Sequence, residues 1–141
     1  MTGIAGNNSN TLAIIQARLG STRLPGKVLK KILGKTVLEH IVERLHYAEK
    51  IDQIIIATSI LRENDPIEEL ARKKEIPCFR GSEDDVLNRF YQAALQYKGD
   101  IVVRVTGDCP LVDPFVVDKI IDCHLSHGGD YTSNTIKRTF P

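Results

Sequence analysis

Cysteine is scarce in this chain. Cys78, Cys109 and Cys123 are the only three among 141 residues, and none share C-x-x-C spacing. An odd, scattered set excludes a disulfide framework and a structural zinc site, and it fits a reducing, cytoplasmic setting. An excess of one charge is missing too. Nineteen Lys and Arg stand against 18 Asp and Glu, for a net charge of +1. Nothing therefore points to nucleic acid or to a membrane surface as a partner. No apolar run approaches the roughly 18 residues of a transmembrane helix. Residues 1–10 are small and polar, lack the apolar core of a signal peptide, and read as a disordered lead-in. There is no internal repeat, linker or low-complexity segment. The whole sequence, 42% hydrophobic and 26% charged, is ordinary for a soluble globular chain. Its length suits one domain with a real core, here residues 11–141, and not two.

Within that length, apolar runs alternate with amphipathic stretches. Residues 11–16 read as a buried strand around Leu12-Ala13-Ile14-Ile15. Residues 35–49 read as a helix, with Val37, Leu38, Ile41, Leu45 and Ala48 at helical spacing and a capping box from Thr36 and Glu39. Residues 53–58 form a second strand. Asp65-Pro66 opens a helix through Lys74, with Asp65 as its cap. A short strand over 77–80 precedes a helix that Asp84 or Asp85 caps and that reaches Tyr97. Val86, Leu87, Phe90, Ala94 and Tyr97 form its expected apolar face. Residues 100–106 are a fourth strand. Asp113-Pro114 starts a helix to about His127, ended by Gly128-Gly129. Residues 130–134 are a candidate fifth strand. This β-α-β-α order predicts a parallel sheet with helices on both faces.

The stretch I-I-Q-A-R-L-G-S-T-R-L-P-G-K, residues 14–27, leaves the first strand. Its glycines permit a tight turn and a close approach to a ligand. Hydroxyls and backbone amides offer hydrogen bonds, and Arg18, Arg23 and Lys27 bring three positive charges. A loop of this kind, at the carboxyl end of a strand in an open α/β sheet, suits a phosphate chain. It is not G-x-x-x-x-G-K-[ST], since no Ser or Thr follows Lys27, and it is not G-x-G-x-x-G. A solvated basic turn accounts for the same residues.

A second constellation, R-V-T-G-D-C-P-L-V-D-P, covers residues 104–114. Asp108 falls just beyond the fourth strand. A lone carboxylate there, beside a phosphate loop, is placed to hold Mg²⁺, which favours one or two carboxylates plus substrate phosphates. The competing reading is a turn aspartate after Gly107. Asp113 reads as a helix cap. His124 and His127 beside Cys123 read as helix-end residues favoured by the dipole, not as metal ligands. Cys109 has no histidine in its motif to activate it. Glu83-Asp84-Asp85 needs no metal as an acidic helix start.

Taken together, A-R-L-G-S-T-R-L-P-G-K (residues 17–27) and T-G-D-C-P-L-V-D-P (106–114) resemble the cytidylyltransferase family of CMP-sugar synthetases. F-R-G-S-E-D-D-V-L-N-R-F (79–90) and D-Y-T-S-N (130–134) resemble its spore coat polysaccharide branch. The resemblance implies a three-layer α/β/α, Rossmann-like nucleotidyltransferase fold. It implies transfer of a nucleotidyl group from CTP to a sugar, with release of pyrophosphate and Mg²⁺ as cofactor. Arg18 and Lys27 match the family's triphosphate-binding pair, with Gly20 and Ser21 beside them, and Asp108 matches its metal-binding aspartate. Ala57, Thr58 and Ser59 match the region that walls the nucleoside, and residues 82–89 a region near the base and ribose. Ala17, Arg18, Gly20, Ser21, Arg23, Lys27, Thr58, Ser59 and Ser82 are thus the expected nucleotide site. Arg18, Lys27 and Asp108 are the expected catalytic groups. Family members are longer, so the chain reads as C-terminally truncated, with two expected consequences. Catalysis by the chain alone is weak or absent, and an uncovered sheet edge favours a homo-oligomer. Two rivals stand beside this reading: a non-catalytic nucleotide-binding or assembly module, and a glycosyltransferase of related fold. The second lacks support, because the chain has no D-x-D.

Overall fold

A computed structural model describes residues 9–135. In chain order the elements are β1 (Thr11–Gln16), β2 (Lys31–Ile32), β3 (Lys35–Thr36), α1 (Val37–Leu45) and β4 (Gln53–Ser59). They continue with α2 (Asp65–Lys73), β5 (Cys78–Gly81), α3 (Val86–Gln96), β6 (Ile101–Thr106) and α4 (Pro114–His127). Among the described residues, β5-β4-β1-β6 form a parallel sheet in that order, and β2 and β3 form a small antiparallel hairpin. The central strand β1 is apolar on both sides because both sides are covered. Ala13 and Ile15 pack with Leu38, Ile41 and Leu45 of α1, Ile67 and Ala71 of α2 and Val117 and Ile121 of α4. Leu12 and Ile14 face the other way, onto Phe90, Ala93 and Ala94 of α3 and Tyr97 just after it. The result is the expected α/β/α layering.

Chain order reverses once in this sheet. The chain steps outward from β1 through β4 to β5, then returns to β6 on the far side of β1. That places a switch point between β1 and β6, where a crevice opens beyond the carboxyl ends of the strands.

Several expected boundaries shift. The capping box is present, with Thr36 Oγ1 accepting from Glu39 N at 3.1 Å and Glu39 Oε2 accepting from Thr36 N at 2.7 Å. However, α1 ends at Leu45, not at 49, because the Asp118 carboxylate of α4 takes the amides of Glu49 and Lys50 at 2.9 and 3.0 Å. Asn64 rather than Asp65 precedes α2, and Asp65 instead pairs with Arg80 at 2.6 Å. On α3, Asp85 is the cap, but Leu87 is 81% exposed while Ala93 and Arg89 are buried. Residues 130–134 form no strand. Thr132 Oγ1 meets His124 Nδ1 at 3.0 Å, which folds the segment back on the end of α4 rather than along the sheet. The expected lead-in lies outside the described residues as far as residue 8. Asn10 at its end is fastened, with Nδ2 donating to Tyr97 O and Lys98 O at 3.1 and 2.8 Å. Residues 136–141, the last of the chain, also lie outside the described residues.

Candidate functional site

The loop after β1 begins pinned and ends pinned. Ala17 N donates to Ala57 O at 3.1 Å, which continues the ladder one residue beyond the strand. The carbonyl of Leu19 then accepts from Ser21 N at 2.8 Å and from Gly26 N at 3.0 Å, so residues 19–26 close on themselves. Gly26 takes a left-handed φ of 67°, which a side chain would resist, and the chain enters a single helical turn that buries Val28. Across the crevice, Gly107 N donates to Gln16 O at 2.7 Å. A Cβ at Gly107 would lie only 2.7 Å from that same backbone oxygen. The glycine is therefore what lets the loop after β6 touch the end of β1.

Between these two loops lies a cavity of about 280 Å³. Its walls carry Arg18, Ser21, Arg23 and Lys27 from one side and Arg104 and Asp108 from the other, with Gly20 alongside. Most of these were legible in the sequence; Arg104 was not. It sits within β6, where V-V-R-V reads as strand interior, and its guanidinium lies 5.7 Å from the Phe90 ring centroid.

Two of the cations are already engaged. Lys27 Nζ donates to Asp108 Oδ2 at 2.5 Å. That bond, with a contribution from the Thr106 hydroxyl, holds the Asp108 carboxyl below its ordinary range against the opposing effect of partial burial. Arg18 Nη1 donates to Glu83 Oε1 at 3.1 Å. The Glu83 carboxyl is likewise held low, first by the nearby Ser59 hydroxyl and then by Arg18, although its Oε2 is buried with no partner at hydrogen-bond geometry. Arg23 and Arg104 form no ion pair among the described residues.

The residues expected to wall a nucleoside stand at the carboxyl end of β4. Ala57, Thr58 and Ser59 are fully buried and do not line the cavity. Ser59 Oγ accepts from Asn64 Nδ2 at 2.7 Å, so its side chain is spent on structure. Ser82 stands at the end of β5, where its hydroxyl accepts from Asp85 N at 3.0 Å and its carbonyl accepts from Arg89 Nη1 at 2.6 Å. Arg89 is 1% exposed, and its Nε and Nη2 have no partner among the described residues. Arg89 was not singled out in the sequence beyond the segment that contains it, and Glu83 was read only as part of an acidic helix start. Asp113 caps α4 through Val116 N at 3.0 Å, as expected.

The donor set fits a divalent cation of one kind. Among the described residues no group of three His, Cys, Asp or Glu gathers around a common point. Asp108 alone, on the rim of a phosphate-sized basic cavity, suits an ion that takes its other ligands from substrate phosphates and water.

A parallel sheet whose basic loop meets a carboxylate at the switch point defines an α/β protein with a candidate phosphate-binding crevice. Comparison with known proteins narrows this: the chain belongs to the cytidylyltransferase family, whose model matches residues 12–140. It is 41% identical over 128 residues to the spore coat polysaccharide biosynthesis protein SpsF of Bacillus subtilis, covering 88% of this chain and 53% of that protein. It is 33% identical over 129 residues to the 8-amino-3,8-dideoxy-manno-octulosonate cytidylyltransferase of Shewanella sediminis, covering 90% of this chain and 52% of that one. A cytidylyltransferase structure from Leptospira borgpetersenii superposes with a TM-score of 0.81 at 39% identity, over 86% of this chain and 51% of the other. The chain thus spans about half the length of the curated relatives it matches. No helix among the described residues is long and apolar enough to cross a membrane.

Proposed function

We propose that this chain carries the nucleotide-binding part of a Mg²⁺-dependent cytidylyltransferase, which transfers a cytidylyl group from CTP to a sugar in surface or spore coat polysaccharide assembly. One observation carries the reading: Arg18, Arg23, Lys27 and Arg104 surround a single cavity at the switch point, with Asp108 on its rim. Such a site needs no protein nucleophile. A hydroxyl oxygen of the sugar forms a bond to the α-phosphorus and gives up its proton to solvent while the bond to the bridging oxygen breaks, and pyrophosphate leaves with that oxygen. The loop supplies position, and its fixed cations offset charge that builds on the phosphates in the transition state. Asp108 would hold the metal, which when bound neutralises phosphate charge. Lys27 must then exchange Asp108 for a phosphate oxygen, and Arg18 must exchange Glu83.

The test is calorimetric titration of the chain with CTP and Mg²⁺, with ATP, GTP and UTP alongside. Selective CTP binding that is lost in Arg18→Ala/Lys27→Ala supports the reading. Absence of binding by any triphosphate overturns it for this chain. A second reading is a binding module without turnover; CTP binding with no pyrophosphate release in the presence of candidate sugars would select it. β6 is one of the two outer strands of the sheet among the described residues, with Val102 42% exposed. This supports self-association through that edge, and a monomer by sedimentation at high concentration would remove that part of the proposal. The free thiols of Cys78, Cys109 and Cys123 are in keeping with a reducing, cytoplasmic setting.

A further inference from the structure

We propose that Asn64 is a positioning residue that fixes the shape of the basic loop, through a bracket anchored on β5. The inference rests on the reading that this loop holds the triphosphate. Asn64 is fully buried although it belongs to the connection between β4 and α2. Its Oδ1 accepts from Leu19 N at 2.8 Å, and its Nδ2 donates to Ser59 Oγ at 2.7 Å. The amide can be oriented only one way here, because Leu19 N–H requires an acceptor. Leu19 lies between Arg18 and Gly20, and its carbonyl is the one that closes residues 19–26. Both sides of one residue are thus committed: the amide to Asn64, the carbonyl to the loop itself. The direction in which Arg18 leaves the loop follows from that pair of bonds.

Asn64 is itself held. Its backbone N–H donates to Leu61 O at 2.9 Å. Arg80 of β5 donates from Nε to Ser59 O at 3.0 Å and from Nη2 to Leu61 O at 2.8 Å, and its Nη1 reaches Asp65 at 2.6 Å and Glu68 at 2.8 Å. One guanidinium therefore grips both ends of the 59–65 connection. The chain of contacts runs from the sheet through Arg80 to Asn64 and then to the first residues of the loop. A partly buried amide left without its acceptor must find water or move, so loss of Asn64 is expected to release the loop while the sheet stays intact.

The experiment uses the whole chain, labelled with ¹⁵N, in three forms: unaltered, Asn64→Leu and Asn64→Asp. Leucine keeps the size and removes both hydrogen bonds; aspartate keeps an acceptor for Leu19 N–H. In Asn64→Leu the amide of Leu19 is expected to exchange at least about tenfold faster, with shifts confined to residues 18–27 and 59–64 and none in α4. CTP affinity in Mg²⁺ is expected to fall about tenfold. In Asn64→Asp the Leu19 amide is expected to keep its protection. A folded Asn64→Leu with unchanged Leu19 exchange and unchanged CTP affinity overturns the proposal, as does Asn64→Asp behaving like Asn64→Leu at the Leu19 amide. If Asn64→Leu does not fold, Arg80→Gln loosens the same bracket from outside and must speed Leu19 exchange in the same direction, or the proposal fails. If the unaltered chain binds no CTP, the proposed function is lost, yet the exchange arm still decides the role of Asn64.

Discussion

Asp108→Asn is expected to change the affinity for CTP in opposite directions with and without magnesium. Without metal, Asp108 competes with the nucleotide for Lys27, its partner at 2.5 Å. The two side chains are 32% and 42% exposed, so solvent screens them and the pair is worth at most about 1 kcal/mol. Removing it should tighten metal-free binding by up to about fivefold, since 1.4 kcal/mol is a factor of ten. The gain should shrink in 1 M salt, where the Debye length is about 3 Å. With magnesium the sign reverses, because the variant lacks the carboxylate that would hold the ion. Even outer-shell partners of metals are worth about 10–100-fold in metal affinity, so a loss of at least about tenfold is expected. Titration calorimetry with and without EDTA measures both arms on one preparation. If Asp108→Asn weakens binding equally in both, Asp108 neither restrains Lys27 nor serves a metal, and the assignment of this carboxylate is wrong.

Two further predictions concern the frame around the site. The Glu39 carboxyl is pulled down to about 2 from 4.5, first by its hydrogen bond from Lys74 and then by the Thr36 amide. A depressed folded pKa contributes stability that is present above the unfolded value and lost as pH falls from about 4.5 through about 2. Glu39→Gln should therefore lose roughly 1 kcal/mol near neutral pH and flatten the acid limb; parallel urea-midpoint curves against pH for the two proteins would contradict this. Gly107→Ala drives a Cβ to 2.7 Å from Gln16 O, a backbone atom that cannot swing aside, whereas a Cβ at Gly129 meets nothing closer than 3.7 Å. Alanine at 107 should destabilise by about 1–3 kcal/mol, and alanine at 129 by little; equal melting temperatures for the two variants would refute the close approach of the loops.

Local signals were readable in the sequence and long-range ones were not. The run Leu12-Ala13-Ile14-Ile15 read as a buried strand, and Thr36 with Glu39 marked the start of α1 within four residues. The end of α1 was illegible because the carboxylate that draws the chain away, Asp118, lies 69 residues after Glu49. The face of α3 misled for a related reason. Leu87 fits a helical stripe on paper, but α3 covers only the strip of sheet presented by Leu12, Ile14, Ile55 and Ala57, so Phe90, Ala93 and Ala94 suffice and Leu87 turns outward. The buried position that periodicity would reserve for an apolar residue holds Arg89, whose role is to grip Ser82 O.

The same division runs through the site. Arg18, Lys27 and Asp108 announce themselves as residue types, but their partners do not. Glu83 is 65 residues from Arg18, and Asp108 is 81 from Lys27. Those separations carry the physics of the resting state. Arg18, Arg23, Lys27 and Arg104 gathered around one cavity of about 280 Å³ would repel one another, and the fold relieves this by lending Arg18 and Lys27 a carboxylate from two different loops. A phosphate chain can take over these cations only by displacing carboxylates, and Asp108 is the one for which a second cation offers a better partner. On the proposed reading, a divalent ion brought with the nucleotide would be held by Asp108 and would leave Lys27 free for phosphate, whereas a bare polyphosphate would have to break the pair unaided. The pairing that hides the site in the resting chain is therefore also what would make it favour the metal-complexed nucleotide.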